Sequence, residues 1–380
     1  DMTLGYYTTD ACDISEFQAL TAQKIDPTDL KFTDHVTNNV PLYDATTIPL
    51  TGANRQALLS EWAQVLSTGP GVFAIQKAYT DTAPVDAATD IYTQIITDEK
   101  ASGLSTADHF AAGTNDRVWN SLQKLCLKDP ETFAQVFSRP AIDAAAEAWL
   151  GPNYQMTAQV NLVRPGGAAQ EAHRDYHLGF QTEAQAAAYP AHVHHLSPYM
   201  TLQGAIAHVD MPIESGPTKL LPFSQSYGPG YMAYRLPDFR AHFEEHYVQV
   251  PLQKGDALFF NPALFHAGGD NRTQDVQRFA NLVQIGTAMG RVLENIDRVA
   301  MCKALYPALQ NLKLPEAEQN ASIAACAEGY PFPTNLDTDP PIGGLAPESQ
   351  AALMRRALSE NMDAAAFNQA LDGQQAKQSP

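Results

Sequence analysis

Hydrophobic spacing divides the chain into a helical first part, a strand-rich middle and a helical end. After residue 50, apolar side chains recur every three or four positions, which is typical of helices with one buried face. This spacing predicts helices over Arg55 to Leu66, Asp86 to Thr97, Asp116 to Leu127 and Pro130 to Leu150, and one buried strand over Val72 to Ile75. Residues 1–50, with three prolines among short polar runs, predict an extended arm laid over the body.

Between residues 151 and 290 the pattern changes to short apolar or alternating runs separated by glycine and proline turns. It predicts strands over Tyr154 to Val163, Met200 to Val209, Val248 to Leu252, Ala257 to Phe260 and Phe279 to Ile285, an arrangement typical of a sandwich or barrel. Helices return over Val292 to Leu312, Pro315 to Ala327 and Pro347 to Leu371, and the last eight residues are expected to fray. We therefore predict an α+β fold with one β core flanked by helices from both ends.

Composition narrows the possible partners. The chain has 24 Lys and Arg against 42 Asp and Glu, a net charge of −18, so no nucleic-acid partner is expected. No apolar run is long enough to cross a membrane, and 44% hydrophobic with 17% charged residues is typical of a globular protein. Four scattered cysteines without a CxxC pair predict free thiols, and no signal-peptide pattern opens the sequence, so we expect a cytoplasmic location.

A candidate metal site comes from the histidines. Iron centres for oxygen chemistry typically use two imidazoles and one carboxylate, because three protein ligands leave three positions open. In sequence this set begins with His-x-Asp or His-x-Glu, which occurs three times, as His173/Asp175, His208/Asp210 and His242/Glu244. The third pair lies in a polar, helical stretch, where positions i and i+2 point apart.

The first two pairs both belong to strand ends. His208 and Asp210 share a face at the end of the second predicted strand, where they can also form a hydrogen-bonded polar edge. His173 and Asp175 follow a strand that ends in a Pro-Gly turn, so we expect them to be better exposed to a cavity. The third ligand is predicted to be His266, which follows an apolar strand and precedes small residues that let a ligand approach.

A 2-oxo diacid cosubstrate would need a cation for its far carboxylate, and the planar fork of arginine suits that role. Arg278, at the start of the last predicted strand, is the candidate, and Arg272 is the rival. Gln159 and Asn161 alternate on one face of the strand before the metal loop, so an inward face would let them bind the cosubstrate or orient a ligand. Arg174 cannot point the same way as both of its neighbours, but it can reach a cosubstrate carboxylate or pair with an acid.

Several motifs, taken together, resemble the phytanoyl-CoA dioxygenase (PhyH) family of non-haem iron enzymes. They are Asn161-Leu-Val-Arg-Pro-Gly, His173-Arg-Asp, Glu214-Ser-Gly-Pro-Thr, Gly255-Asp and His266-Ala-Gly-Gly-Asp-Asn with Arg278, in matching order over residues 154 to 288. The resemblance implies a double-stranded β-helix of the jelly-roll or cupin-like type. It also implies Fe(II) held by His173, Asp175 and His266, with 2-oxoglutarate anchored by Arg278.

The implied reaction consumes 2-oxoglutarate and O2, releases succinate and CO2, and hydroxylates a C–H bond of the substrate. On this interpretation residues 1–380 form a single catalytic domain, with an arm and helices (1–150), the β-helix core with the metal site (151–290) and a helical extension (291–380). The acidic composition argues against an acyl-CoA and for a small or mid-sized organic substrate, with the protein a monomer or homodimer. The alternatives are a zinc-dependent hydrolase, and a cupin-like binding protein without turnover, on the same barrel.

Overall fold

The computed structural model describes residues 5–108 and 115–380 and shows helices layered on both sides of two facing sheets. Its strands are β1 (His35–Thr37), β2 (Val40–Asp44), β3 (Val72–Gln76), β4 (Asp116–Val118), β5 (Gln155–Val163), β6 (Thr201–Ala207), β7 (Lys219–Leu220), β8 (Ala257–Phe260), β9 (His266–Ala267) and β10 (Arg278–Gly286). The α-helices are α1 (Ile14–Thr21), α2 (Arg55–Ser67), α3 (Ala83–Ala101), α4 (Ser121–Lys128), α5 (Pro130–Phe137), α6 (Pro140–Leu150), α7 (Glu183–Ala187), α8 (Ala191–Leu196), α9 (Gly230–Ala233), α10 (Pro237–His246), α11 (Arg298–Leu312), α12 (Glu316–Cys326), α13 (Gln350–Ser359) and α14 (Ala364–Gln378).

The main sheet has eight strands in the order β1-β2-β3-β8-β6-β10-β5-β4, antiparallel except for the parallel pair β2 and β3. A smaller sheet pairs β7 with β9. Single bridges extend it on both sides, from His173 to His266 and from Leu220 to Val248. Two facing, mainly antiparallel sheets confirm the predicted α+β fold with a double-stranded β-helix core.

The two faces of the main sheet are buried by different partners. Its outer face, with residues such as Phe73, Phe259 and Val283, packs against helices α2–α6 and α11–α14 in the largest apolar cluster. Its inner face meets the small sheet through a second cluster that includes Leu258 and Phe260. Because β8 is covered on both faces, it is continuously apolar, as buried strands usually are. The small sheet is covered on its far side by α1 and α10.

The N-terminal prediction was wrong in part. Residues 5–50, the described part of the predicted arm, contain α1 and the strands β1 and β2. The strand β2 is buried and pairs with β3, so this segment forms the edge of the main sheet. Short strands carry too little periodicity to be recognised before their pairing partner is known.

Four predicted helices differ from the structure. The segment Asp116 to Leu127 begins as strand β4 and only then becomes helix α4. Pro130 to Leu150 is two helices, because Arg139 is extended before Pro140, as the ring of a following proline favours. Helix α11 starts at Arg298 rather than Val292, and Pro347 to Leu371 is divided into α13 and α14.

Two further predictions were wrong. Val248 to Leu252 forms only single bridges, at Val248 and Leu252, and Pro251 between them has no N–H to donate to a ladder. The expected fraying of the last eight residues is replaced by α14, which continues to Gln378.

The free thiols are confirmed for all four cysteines, and no helix in the described part of the chain is long and apolar enough to span a bilayer.

Helix α2 is attached to the outer face of the main sheet through one large aromatic contact. The Trp62 ring is fully buried, stacks on Phe73 of β3 with 4.7 Å between ring centroids, and meets Tyr43 edge-on. Trp62→Ala would leave a cavity between helix and sheet, so we expect it to lower the free energy of unfolding by about 3–5 kcal/mol. Denaturant titration measures this, with Leu345→Ala, at a 73% exposed side chain, as the control expected to change stability little.

Candidate metal centre and its cavity

The small sheet brings the two predicted histidines together. The main-chain N–H of His173 donates to the carbonyl of His266 at 3.0 Å, and the reverse bond measures 3.2 Å. Two residues further on, the N–H of Asp175 donates to the carbonyl of Pro262. The segment around residues 173–175 therefore lies antiparallel to β9, although 91 positions separate Asp175 from His266 in the chain.

The side chains of His173, Asp175 and His266 form a compact cluster, with one ligand atom from each within 4.8 Å of the others. Asp175 Oδ2 lies 3.0 Å from His266 Nε2 and 3.5 Å from His173 Nε2. The two imidazole centroids are 4.5 Å apart. Two imidazoles and one carboxylate at these separations can hold one divalent metal ion on one side, which leaves its other positions open.

The hydrogen bonds behind the imidazoles fit this donor set. His173 Nδ1 lies 2.8 Å from the carbonyl of Glu171, and His266 Nδ1 lies 2.6 Å from the carbonyl of Leu264. A carbonyl can only accept, so each Nδ1 donates to it, and each Nε2 is left beside Asp175 as the atom that a metal would take. The residues present therefore suit an imidazole-carboxylate metal site.

The charges of the three groups are strongly coupled. Burial alone would raise the pKa of Asp175, but the two imidazoles hold it well below its usual value. Burial opposes a charge on His173, yet the neighbouring carboxylate outweighs it and raises the pKa of this imidazole. Burial, together with the charge of His173, lowers the pKa of His266. Metal binding requires an ionised carboxylate and neutral imidazoles, so these pKa shifts favour it at Asp175 and His266 and oppose it at His173.

The cluster faces a cavity of about 450 Å³ between the two sheets. One wall is apolar and comes from both sheets, with Leu258, Phe260 and Leu282 on the main sheet and Met211, Val250 and Leu252 opposite. The other wall carries polar side chains from β4, β5, β6 and β10, namely Arg117, Gln159, Asn161, Gln203 and Gln284. A concave, largely apolar space with a few polar groups is the usual form of a small-molecule site.

Arg278 lies in the wall of this cavity at the start of β10. Its Nη1 donates to the carbonyls of Ser215 and Gly269, each at 2.9 Å, and to that of Gly216. Gly216 has a φ of +81°, and a side chain there would collide with the guanidinium. Burial, reinforced by the charge of Arg117, lowers the pKa of Arg278 to about 10, so it remains a cation near neutral pH. Its rival Arg272 is exposed and lies outside the cavity.

The structure places Gln159 and Asn161 on the inner face of β5, in the cavity wall. Gln159 Nε2 donates to the carboxylate of Glu294 at 2.6 Å. Asn161 Oδ1 is buried and has no hydrogen-bond partner among the described residues, so it is open to a donor from a ligand.

Arg174 does not share this cavity, and its expected contact with a cosubstrate is corrected here. Its guanidinium points away from the cluster and donates to the carbonyls of Ser224, Gln225 and Tyr227 at 2.9–3.2 Å. It lies against the Tyr231 ring, and a side chain at Gly230 would collide with it. Within the described part of the chain Arg174 pairs with no acid either, so it holds the loop at residues 224–230 instead.

The other histidine pairs lie away from the cavity. His208 projects from the outer face of the main sheet, where it contacts Phe279 and lies 2.8 Å from the Thr89 hydroxyl. His242 lies on helix α10 and stacks on His246. The histidines of α8 are used singly, since His194 bonds the carbonyl of Ala186 and His195 bonds Tyr7.

Three polar residues at the site were not singled out from the sequence. Gln203 contacts Asp175 from β6, and a lone glutamine in an otherwise apolar strand was a signal that could have identified it. The sequence gives no signal for Arg117 and Glu294 as site residues, because both lie in segments whose apolar spacing predicts helices. Arg117 pairs with Asp108 at 3.2 Å, and Glu294 accepts from Gln159 in the cavity wall. Burial raises the pKa of Glu294, although Gln159 and Asn120 donate to it.

Two facing sheets with a His-Asp-His cluster at an enclosed cavity define the class of mononuclear centres with three protein ligands on one side of the metal. The family model for phytanoyl-CoA dioxygenase (PhyH) matches residues 69–280, more than half of the chain. The chain therefore belongs to the phytanoyl-CoA dioxygenase family, whose enzymes depend on Fe(II), 2-oxoglutarate and O2.

Known relatives share parts of this chain. Dioxygenase trt7 of Aspergillus terreus is 26% identical over 187 residues, and the match covers 48% of this chain and 59% of that protein, less than two thirds of its length. Among solved structures, the non-heme alpha-ketoglutarate-dependent epimerase SnoN from nogalamycin biosynthesis is 21% identical with a TM-score of 0.42, covering 61% of this chain and 84% of SnoN. The carbocyclase SnoK from the same biosynthesis is 18% identical with a TM-score of 0.43, covering 63% of this chain and 87% of SnoK.

The burial of His208 predicts a pH dependence of stability that is independent of the cavity. Burial lowers the pKa of His208 to about 3, so its imidazole is neutral in the folded chain and takes up a proton on unfolding below about pH 6.5. Stability is therefore lost as pH falls below 6.5. We expect His208→Gln to reduce this acid slope by about 1.4 kcal/mol per pH unit between pH 6 and 4. Urea unfolding across this range measures the slope, and equal slopes for both proteins would contradict the assignment.

Proposed function

We propose that this chain is an Fe(II)- and 2-oxoglutarate-dependent dioxygenase that hydroxylates a C–H bond of a small or mid-sized organic substrate. Succinate and CO2 would be the co-products. The observation that carries the proposal is that one cavity contains both the His173, Asp175 and His266 cluster and the buried cation Arg278. A hydrolytic zinc site would need the cluster but would give Arg278 no role.

His173, Asp175 and His266 would hold the iron. When bound, Fe(II) with 2-oxoglutarate and O2 supplies the oxidising chemistry that transfers one oxygen atom to the substrate. The contribution of the chain is to position the reactants and to exclude water. The cluster lies between the two sheets, with the His266 side chain buried, which favours reaction with a bound substrate over side reactions with solvent.

Arg278 would bind the far carboxylate of 2-oxoglutarate. Its Nη1 is fixed by the carbonyls of Ser215, Gly216 and Gly269, so the guanidinium is already oriented in the cavity wall before a ligand arrives. A pre-oriented arginine loses little side-chain entropy on binding a carboxylate. Asn161, with its unpartnered buried oxygen, and Gln159 would contact the cosubstrate or substrate from β5.

The cavity argues for a substrate of low charge. Among the described residues that line it, the cations are Arg117 and Arg278, and Arg117 is already paired with Asp108. A coenzyme A ester carries several phosphate charges that would need a cluster of basic side chains. The apolar wall and the cavity volume instead suit a compact, mainly hydrocarbon molecule.

Two broader features belong to the same proposal. We propose that residues 1–380 act as a single catalytic domain, because the largest apolar cluster joins helices from both ends of the chain to the outer face of the main sheet. We also propose a cytoplasmic site of action, which the four free thiols support.

Removal of the carboxylate tests the metal assignment. We expect Asp175→Ala to abolish succinate formation from 2-oxoglutarate, because two imidazoles alone hold Fe(II) weakly. Succinate release and bound iron are both measured, with Asp210→Ala in the other His-x-Asp pair as the control that retains them. Succinate formation by Asp175→Ala at the unaltered rate would contradict the proposal, and bound zinc without any succinate in the unaltered protein would favour a hydrolase.

Removal of the arginine tests the cosubstrate anchor. Loss of a buried, hydrogen-bonded charge partner typically costs 2–5 kcal/mol, so we expect Arg278→Ala to raise the KM for 2-oxoglutarate by about thirtyfold or more. Arg272→Ala, at the exposed rival position, is the matched control and should leave this KM unchanged. If Arg272→Ala raises the KM and Arg278→Ala does not, the anchor is Arg272.

A further inference from the structure

Gln203 contacts the His-Asp-His cluster from the opposite sheet. It projects from the inner face of β6 and is 95% buried, and its Nε2 lies 2.6 Å from Asp175 Oδ2. The same Oδ2 faces both imidazoles, at 3.0 Å from His266 and 3.5 Å from His173. Apart from these imidazoles, Gln203 is the one hydrogen-bond donor to this carboxylate within the described ranges 5–108 and 115–380.

The chemistry of the contact fixes which end of the amide faces Asp175. As a metal ligand Asp175 is a carboxylate, and carboxylate oxygens can only accept hydrogen bonds. An amide oxygen at 2.6 Å would repel it, whereas the amide NH2 donates a short, charge-assisted bond. Gln203 Oε1 must then point away, and it is buried without a hydrogen-bond partner among the described residues. The short bond to the carboxylate therefore fixes the orientation of the amide.

Two neighbours explain why the carboxylate needs this contact. Asp175 lies in a loop after β5, outside the named strands. Its main-chain N–H donates one hydrogen bond, to the carbonyl of Pro262. The residue after it, Tyr176, has a φ of +60°, so the backbone turns sharply immediately after the ligand. A carboxylate on such a loop can rotate about its side-chain bonds unless a rigid group holds it. Gln203 supplies that group, because β6 lies in the middle of the main sheet between β8 and β10.

We propose that Gln203 is a positioning residue that holds the Asp175 carboxylate in the orientation required for metal binding. This inference rests on the proposed function only in taking Asp175 as a metal ligand. Hydrogen bonds to a coordinating carboxylate orient it and tune its basicity, and their loss typically costs ten- to a hundredfold in metal affinity. The carboxylate oxygen keeps lone pairs for both the amide and a metal ion, so the two contacts are compatible.

Gln284 provides an internal comparison. It is directly opposite Gln203 in the register of β6 and β10, points into the same cavity, and has a buried Oε1 without a partner among the described residues. It makes no bond to Asp175. The two glutamines therefore occupy paired positions on neighbouring strands and line the same cavity wall. They differ in that Gln203 contacts the Asp175 carboxylate and Gln284 does not.

The experiment titrates Co(II) into metal-free protein and follows the visible absorption of the bound ion. Methionine matches glutamine in length and volume but cannot donate a hydrogen bond, so Gln203→Met keeps the shape of the wall. We expect Gln203→Met to raise the Kd for Co(II) by about ten- to a hundredfold and to change the absorption bands, while Gln284→Met changes neither.

The outcomes separate this inference from the proposed function. Absence of Co(II) binding by the unaltered protein would overturn the metal site itself. Tight Co(II) binding by the unaltered protein with the same Kd in Gln203→Met would overturn only the role of Gln203. An equal rise in Kd for Gln203→Met and Gln284→Met would show a general effect of the cavity wall and would also overturn it. Thermal unfolding of each metal-free variant confirms that the comparison is between folded proteins.

Discussion

The half-buried carboxylate of Asp175 is the charge on which the arrangement around the cavity depends. Withdrawing an isolated carboxylate from water costs several kcal/mol, so it persists only where partners surround it. Here the partners come from both sheets, His173 and His266 beside the small sheet and Gln203 on the main sheet. One charge therefore ties the two layers together at the His-Asp-His cluster, and both imidazole Nε2 atoms lie beside the same carboxylate oxygen.

Small side chains on the inner face of the main sheet contribute to the space of the cavity. At the centre of the inner face stand the small residues Ala205 and Ala280, both in the cavity wall. The outer face of the same strands carries Ile206 and Val283, which fill the space beneath the helices. Since protein interiors are otherwise close-packed, small side chains between two sheets are the means by which this fold keeps room for ligands. The helices pack on the outer face of the main sheet and stabilise it without filling the cavity.

Family membership and cavity shape answer different questions about this protein. The match to the phytanoyl-CoA dioxygenase family defines the chemistry of the centre, which depends on three metal ligands and a cosubstrate. The substrate is chosen by the rest of the wall, where polar amides on β5, β6 and β10 face apolar residues such as Leu252. Relatives on one fold commonly differ in this way, because a conserved centre can be combined with different walls.

Much of the candidate site could be predicted from the sequence because its signals are local. The His-x-Asp spacing, the strand that precedes it, and the small residues after His266 are each visible within a few positions. Residue chemistry and the resemblance in motif order then suggested Arg278 as the cation. The alternation along β5 placed Gln159 and Asn161 on one face without deciding whether it is inward, and the structure places both in the cavity wall.

The tertiary structure decided what depends on contacts between distant segments. Arg174 lies between two cluster residues in sequence, yet its guanidinium bonds the carbonyls at residues 224–227 because the chain turns away there. Arg117 and Glu294 lay in predicted helices, and only the pairing of β4 with β5 and the late start of α11 bring them to the cavity. By itself the sequence determined the fold class and the ligand types, because periodicity and spacing are properties of neighbouring residues. The contact of Gln203 with Asp175 could be found only in the structure. It joins two different sheets, and the pattern of neighbouring residues does not predict how sheets face each other.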